Sequence, residues 1–516
     1  MPSFCVIWWS CIALLCVGDG LAVVAALCPP KCSCNDDTLV VICNNTNLDM
    51  VPITLNPGVR HLYLIVNQIR TLIATLGFYK DLEFLDLSHN QLSKIETRAF
   101  DAQEKLQTLI LNYNSLPNVS SDTFFGLKSL KTLHVDHNKL QTLPASIFVH
   151  LRSLELLDLS SNRISTVSPN AFEGLVSLRV LNLNNNLLTK VPTSSFAVLV
   201  RLKTLDIGSN ALTTIAPKSL ASLNSLQYLK VDGCALQDPL PSAAFEGLIN
   251  LRTLSAKNNS LRTIPSVALT SMERLEHLDL GLNALDELPA HAFKGLRFLR
   301  SVNISHARRL VVVRKYAFSA NTDLERVNLN DNARLNLLEV GAFEGLTGLR
   351  YLSIRGNAFY SLSQPQLMWE DLDALDLRDN PLHCNCSLLW LRDLLASRNL
   401  SVEGASTVAT CQAPFRLIGR SIGRLSADDL SCFFADVRQH VLIGIGSVII
   451  LVCLATLVIV VLKYRKPVTS VLKDKWSDGA LRRKEHQYEK TNDDDENNIL
   501  HATAQLPMKM TPVTEL

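Results

Sequence analysis

The sequence predicts an α/β solenoid, a curved horseshoe with a parallel β-sheet along its concave side, and three observations carry that reading. The eleven-residue pattern L-x-x-L-x-L-x-x-N-x-L recurs in fourteen copies, beginning at Val59, Leu82, Leu106, Leu130, Leu154, Leu178, Leu202, Leu226, Leu251, Leu275, Leu299, Leu324, Leu349 and Leu372. The copies step by 23 to 25 residues, the kind of fixed period that stacked supersecondary units produce. The second half of each unit carries its own apolar anchor, as in AFEGL (Ala171 to Leu175), AFEGL (Ala244 to Leu248), AFKGL (Ala292 to Leu296) and AFEGL (Ala342 to Leu346). Cysteine clusters stand at both ends of the array.

One copy shows why the pattern folds. In Leu154 to Ile164, LELLDLSSNRI, Leu157 and Leu159 alternate with period two, so a short strand buries both while Asp158 points outward. Asn162 falls where the chain leaves the strand, and its amide can satisfy backbone groups there. A single unit cannot enclose its leucines, whereas a stack can. With strands about 4.8 Å apart, fourteen of them make an inner arc of roughly 60 to 65 Å.

A length of 516 residues would allow several domains, but the period assigns about 370 of them to one solenoid and its ends. A net charge of +2 with 19% charged residues argues against a nucleic-acid partner. The 47% hydrophobic content comes from the repeat leucines plus two apolar segments outside them.

The first apolar segment, residues 1–26, contains the run Phe4 to Trp9 and continues through Cys16 into small residues. It reads as a secretory signal, with cleavage between about Gly18 and Ala26. Residues 27–58 follow, with Cys28, Cys32, Cys34 and Cys43 just ahead of the array. In a secreted chain such a group reads as a disulfide cap, needed because the first repeat would otherwise expose its leucines and an open sheet edge. The repeats occupy 59–382.

Two copies are irregular. LRSVNISHARRL at Leu299 and LERVNLNDNARL at Leu324 carry Arg where the last apolar residue belongs. A one-residue bulge would return Leu310 and Leu335 to the core and change the curvature locally. Residues 383–433 hold NPLHCNCSLLWLRDLL with Cys384, Cys386 and Trp390, then Cys411 and Cys432. The remaining extracellular cysteine, Cys234, stands in the repeat's Asn position and reads as a buried substitute for it.

The second apolar segment, 441–462, runs 22 residues without a charge, about 33 Å as a helix, enough to cross a bilayer core of about 30 Å. Lys463, Arg465 and Lys466 follow it, so the positive-inside rule places the repeats outside the plasma membrane and the C-terminus in the cytoplasm. Cys453 within the span reads as a small apolar residue. The tail, 463–516, is basic near the span, acidic from Asp493 to Glu496, and without hydrophobic periodicity, so it reads as disordered. Its length leaves no room for a kinase or other signalling domain, so an inward signal needs recruited proteins.

Enzyme chemistry finds little support. His134, Asp136 and His137 in LHVDHN have the residue types of a metal triplet. All three fill positions the repeat leaves variable while the surrounding leucines keep the frame. They read as surface residues, and no glycine-rich phosphate loop or nucleophile elbow accompanies them. The expectation is a non-enzyme with no cofactor and no metal. A binding surface is the better reading: His61, Tyr63, Ile65, Phe84, Ile110 and Tyr113 fall on solvent-facing strand positions of the early repeats, and exposed aromatic clusters anchor protein interfaces. The later strands are polar, with Asp158, Asn182, Asp206, Lys230 and Asp279, where Asp reads as an ordinary occupant.

Six N-x-S/T sequons stand at Asn44, Asn118, Asn258, Asn303, Asn385 and Asn399. Glycans at Asn303, on the concave strand face, and at Asn258 would push protein partners toward the N-terminal half. Thr514, Glu515 and Leu516 match a terminus that adds as a strand to a PDZ domain, with Leu516 in a pocket and the carboxylate on backbone amides. Tyr488 is a candidate phosphorylation site.

The cysteine clusters carry a resemblance. CPPKCSCNDDTLVVIC and the Cys384–Cys386–Trp390 segment resemble the caps of extracellular leucine-rich repeat proteins, which implies Cys28–Cys34, Cys32–Cys43, Cys384–Cys411 and Cys386–Cys432 pairing. The whole layout resembles the cell-surface leucine-rich repeat adhesion proteins of the Capricious and Tartan type or the neuronal leucine-rich repeat transmembrane type. The resemblance implies recognition between cells, with a protein ligand on the concave face and a scaffold under the tail, often at synapses. Competing readings are a coreceptor in innate immunity or for a soluble ligand, and an auxiliary subunit of a channel.

Overall fold

A computed structural model describes residues 27–364, 368–397, 400, 408–432 and 440–463. The signal segment, Asn399, most of the tail and Thr514 to Leu516 lie outside the described residues. Two compact units divide the chain, residues 1–432 and 433–516.

The first unit is a β-solenoid of about fourteen turns, in agreement with the horseshoe expected from the period. Each copy contributes one three-residue strand, because only the L-x-L part of the pattern alternates before the chain turns. These strands assemble, with two from the N-terminal cap, into one 16-stranded sheet. The cap strands Ser33–Asn35 and Val40–Ile42 are antiparallel. From Val40–Ile42 onward every pairing is parallel, through His61–Tyr63 to the last strand at Ala374–Asp376. The register is uniform, so Leu133, Leu157 and Leu181 stand in one row and the residues flanking them face the concave side.

The helical share is small. Among the described residues the side opposite the sheet carries four-residue α-helices at Thr193–Phe196 and Ser266–Leu269. A 3-10 turn lies at Ala74–Phe78, and elsewhere there are turns and two-residue strands. A 24-residue unit that spends eleven residues on the strand and its turn leaves too little chain for a long helix.

Two columns hold neighbouring repeats together. The phenylalanines of the second half-repeat stack, with Phe124, Phe148, Phe172 and Phe196 separated by 5.9, 6.2 and 6.0 Å between ring centroids. Phe293, Phe318 and Phe343 repeat the arrangement at 5.5 Å. The asparagines form a ladder. Asn162 Nδ2 donates to Val135 O and to Leu159 O, both at 3.0 Å, while its Oδ1 accepts from Leu140 N at 3.1 Å. Each amide thus satisfies backbone groups of two repeats that the sheet leaves unpaired. Cys234 takes the same place with its thiol 3.3 Å from Ile207 O, and burial pushes its pKa up to about 11.

In the irregular copies Leu310 and Leu335 are fully buried. Each closes a tight turn, Leu310 N to Ala307 O and Leu335 N to Asn332 O, both at 2.9 Å, which absorbs the extra residue.

The caps close the ends of the stack. Disulfides join Cys28 to Cys34 and Cys32 to Cys43 at one end, and Cys384 to Cys411 and Cys386 to Cys432 at the other. Helix Leu389–Ser397 buries Leu391 and Leu394 in the core, and Trp390 packs 5.2 Å from Trp369. In the second unit a helix spans His440–Lys463, long and apolar enough to cross a membrane.

Candidate functional site on the early repeats

Parallel register turns each sequence position into a column running across the sheet. The first strand position reads His61, Phe84, Thr108 and Thr132, and the third reads Tyr63, Asp86, Ile110, His134 and Asp158. At the N-terminal end the large rings meet across strands. The Phe84 ring centroid lies 6.0 Å from that of His61 and 4.8 Å from that of Tyr63, and all three side chains are half-buried.

Ile65 and Tyr113 differ from the strand placement expected of them. Strands end at Tyr63 and Ile110, so both residues belong to the turn that follows. Ile65 offers its carbonyl to Asn45 N at 3.0 Å and is half-buried. Tyr113 occupies the left-handed turn position just before the ladder asparagine, with φ of 53°, alongside His89 at 54° and His137 at 52°. Sharing one column, the three rings stack: Tyr113 lies 4.3 Å from His89 and 4.1 Å from His137, with interplanar angles of 8° and 16°. Tyr113 remains 44% exposed, so this three-ring ladder is a surface feature. Aromatic pairs of this kind contribute about 0.5 to 1.5 kcal/mol beyond burial. His89 and His137 were absent from the sequence-predicted patch. A column-by-column alignment of the copies exposes the His-Tyr-His run, whereas reading along the chain hides it.

Beside the ladder lies a polar group. His137 Nδ1 is 2.9 Å from Asp136 Oδ2, and His134 Nδ1 is 3.6 Å from Asp136 Oδ1. The Asp136 carboxylate raises the pKa of His134, against the opposing effect of burial. Burial pushes Asp136 up, yet the two neighbouring histidines, one hydrogen-bonded and one 3.6 Å away, hold its carboxyl below the ordinary range.

The later polar column has a structural explanation. Asp158 Oδ1 accepts from Ser160 N at 2.9 Å, Asp206 Oδ1 from Gly208 N at 3.0 Å, and Asp279 Oδ1 from Gly281 N at 3.0 Å. A carboxylate or amide in that slot closes the turn after the strand by bonding the backbone two residues on.

The sequons scatter. Asn44, Asn118, Asn258 and Asn385 are exposed. Asn303 sits on strand Ser301–Asn303, half-buried, with Nδ2 donating to Asp279 Oδ1 at 3.0 Å. Asn258 lies in the turn column two repeats earlier, with φ of 54°.

Comparison with known proteins agrees with this architecture. A family model described as leucine rich repeat matches residues 80–140, 128–188, 176–236, 249–308 and 297–359, together more than half of the chain. A mouse peroxidasin homolog is 43% identical over 53 residues, which is 10% of this chain and 4% of that protein. Mouse leucine-rich repeat and fibronectin type-III domain-containing protein 5 is 39% identical over 67 residues, 13% of this chain and 8% of the relative. The chain therefore spans less than a tenth of the length of these curated relatives. Among solved structures, an LRR protein of Leptospira interrogans superimposes with a TM-score of 0.56 at 24% identity, covering 70% of this chain and 95% of its own. The Drosophila Toll–Spätzle complex structure matches with a TM-score of 0.52 at 20% identity, covering 73% and 62%. Both likenesses concern the fold, and nothing in the matches points to catalysis. With its period, its asparagine ladder and this match in hand, the chain belongs to the leucine-rich repeat family.

Proposed function

We propose that this protein is a cell-surface recognition and adhesion receptor. It binds a protein partner through the N-terminal part of its concave face, presents its repeats outside the plasma membrane, and recruits a PDZ scaffold with Thr514, Glu515 and Leu516. The observation that carries the proposal is the concentration of exposed and half-buried rings on the first repeats, His61, Tyr63 and Phe84 on the strands and Tyr113 at the turn, with Ile65 and Ile110 among them. Rings are the side chains that anchor protein interfaces; in the later repeats the third strand column is polar, and the first carries Tyr228 and Tyr351 singly, without neighbouring rings on adjacent strands. Four cap disulfides fit an oxidising, extracellular compartment, and helix His440–Lys463 supplies the anchor. The layout supports kinship with the Capricious and Tartan or neuronal leucine-rich repeat transmembrane types. Sugars at Asn258 and Asn303 would leave the early repeats as the accessible part of the face.

The test displays the full chain on cells and challenges them with a panel of cell-surface ectodomains, this protein's own included. A hit that weakens by at least about 2 kcal/mol in Tyr63→Ala/Phe84→Ala supports the proposal. A hit of unchanged affinity moves the site elsewhere.

A further inference from the structure

The third strand column departs from its turn-closing Asp or Asn at several repeats, Ile110, His134 and Lys230 among them. His134 stands where the next repeats place a turn-closing Asp158 or Asn182, and the carboxylate has moved two residues on, to Asp136. One ligand atom from each of His134, Asp136 and Asp158 lies within 4.8 Å of the others. The triplet read from the sequence was His134, Asp136 and His137, but His137 stands behind Asp136 and not among the ligand atoms. Asp158, registered directly beside His134 on the neighbouring strand, supplies the third ligand.

A second observation bears on the same point. The Asp136 side chain is 10% exposed, and its Oδ1 is buried without a hydrogen-bond partner, since His134 Nδ1 at 3.6 Å is beyond normal hydrogen-bond length. Its other oxygen is held by His137 at 2.9 Å, and that ring is clamped against Tyr113 at 4.1 Å. An orienting imidazole behind a ligating carboxylate is how metal sites fix their ligands. Asp158 is fixed as well, by Ser160 N and Oγ at 2.9 and 2.6 Å, which fill Oδ1, and by Asn182 Nδ2 at 3.1 Å on Oδ2, which leaves Oδ2 a lone pair to offer a metal.

We propose that His134, Asp136 and Asp158 form a binding site for a divalent transition-metal cation of the Zn²⁺ class on the concave face. One imidazole nitrogen and two carboxylate oxygens suit Zn²⁺ better than Ca²⁺, which takes six or more oxygens. Tetrahedral Zn²⁺ with bonds of about 2.0 to 2.1 Å sets its ligand atoms about 3.3 Å apart, so the three close in by at most about 1.5 Å. His134, 30% exposed, has room to make that movement, and water completes the shell.

The columns provide substitutions the fold already accepts: His134→Ile, after Ile110 in the preceding repeat, and Asp158→Asn, after Asn182 in the following one. The full chain in detergent micelles is titrated with Zn²⁺ against a chelating dye, and separately with Co²⁺ while visible absorption is recorded. Wild type should bind one more equivalent of Zn²⁺ than either variant, or bind it at least about tenfold more tightly. Co²⁺ should give a d–d band in the wild type that both variants lose. Equal Zn²⁺ binding by wild type and both variants, or a Co²⁺ spectrum identical to that of the aqueous ion, would overturn the site and leave a histidine–carboxylate ion pair only. Comparing thermal midpoints of metal-free samples separates lost binding from lost folding.

Discussion

Asn162 is a small side chain on which two repeats depend. Its amide reaches Val135 O and Leu159 O, and its carbonyl oxygen receives Leu140 N, so truncation strands three buried backbone groups. Asn162→Ala should cost about 3 kcal/mol, read as a lower denaturant midpoint, because each buried unsatisfied group costs about 1 to 3 kcal/mol. Cys234 offers the reverse experiment. Its thiol, 3.3 Å from Ile207 O, is a weak donor where its neighbours Asn210 and Asn259 use amides. Cys234→Asn should raise stability by about 1 kcal/mol in the same measurement. With burial holding its pKa near 11, the wild-type thiol should stay unmodified by an alkylating reagent at pH 8 until the protein is denatured. At this scale the leucines and ladder asparagines were legible because their spacing states their burial. Ile65 and Tyr113 were misplaced because alternation lasts only three residues before the turn begins. His89 was missed, and His137 and Asp158 were read in other roles, because each acquires its meaning from a repeat about 24 residues away in the chain.

Between elements the fold depends on the half-repeat opposite the sheet. Phe172 lies between Phe148 and Phe196 at 6.2 and 6.0 Å, so Phe172→Ala opens a cavity shared by three repeats. It should cost about 3 to 5 kcal/mol. Gly174, two residues on, has φ of +92°, and a Cβ there would meet Val149 O at 2.5 Å. Gly174→Ala should cost about 2 kcal/mol or more, because the backbone conformation and the approach of the neighbouring repeat both exclude a side chain. The apolar anchor of this half-repeat was legible in AFEGL, and 24 residues close each turn with little more than a single helical turn. The two Arg-bearing copies were legible as bulges, since Leu310 and Leu335 had to reach the core in any frame that closes.

The first unit is a one-dimensional stack whose ends are its exposed points, because each repeat buries its leucines against the next one. In the C-terminal cap Trp390 of helix Leu389–Ser397 packs on Trp369, and the Cys386–Cys432 link closes a 46-residue separation. Cys386→Ser/Cys432→Ser should cost about 2 to 5 kcal/mol and make limited proteolysis begin at that end. Partner choice is a property of the assembled surface, since the repeat frame specifies a scaffold and leaves the concave columns free to vary. The central claim, that the N-terminal concave face is the docking surface, is tested most directly by a glycan wedge. Thr108→Asn/Ile110→Thr creates a sequon beside Phe84 on the sheet, and Val198→Asn/Val200→Thr creates one at exposed positions outside it. On cells displaying the full chain, with glycan occupancy checked by mass shift, the account predicts that the first wedge abolishes ectodomain binding and the second leaves it intact. Binding that survives an occupied glycan at position 108, or is lost through the one at 198, would contradict it.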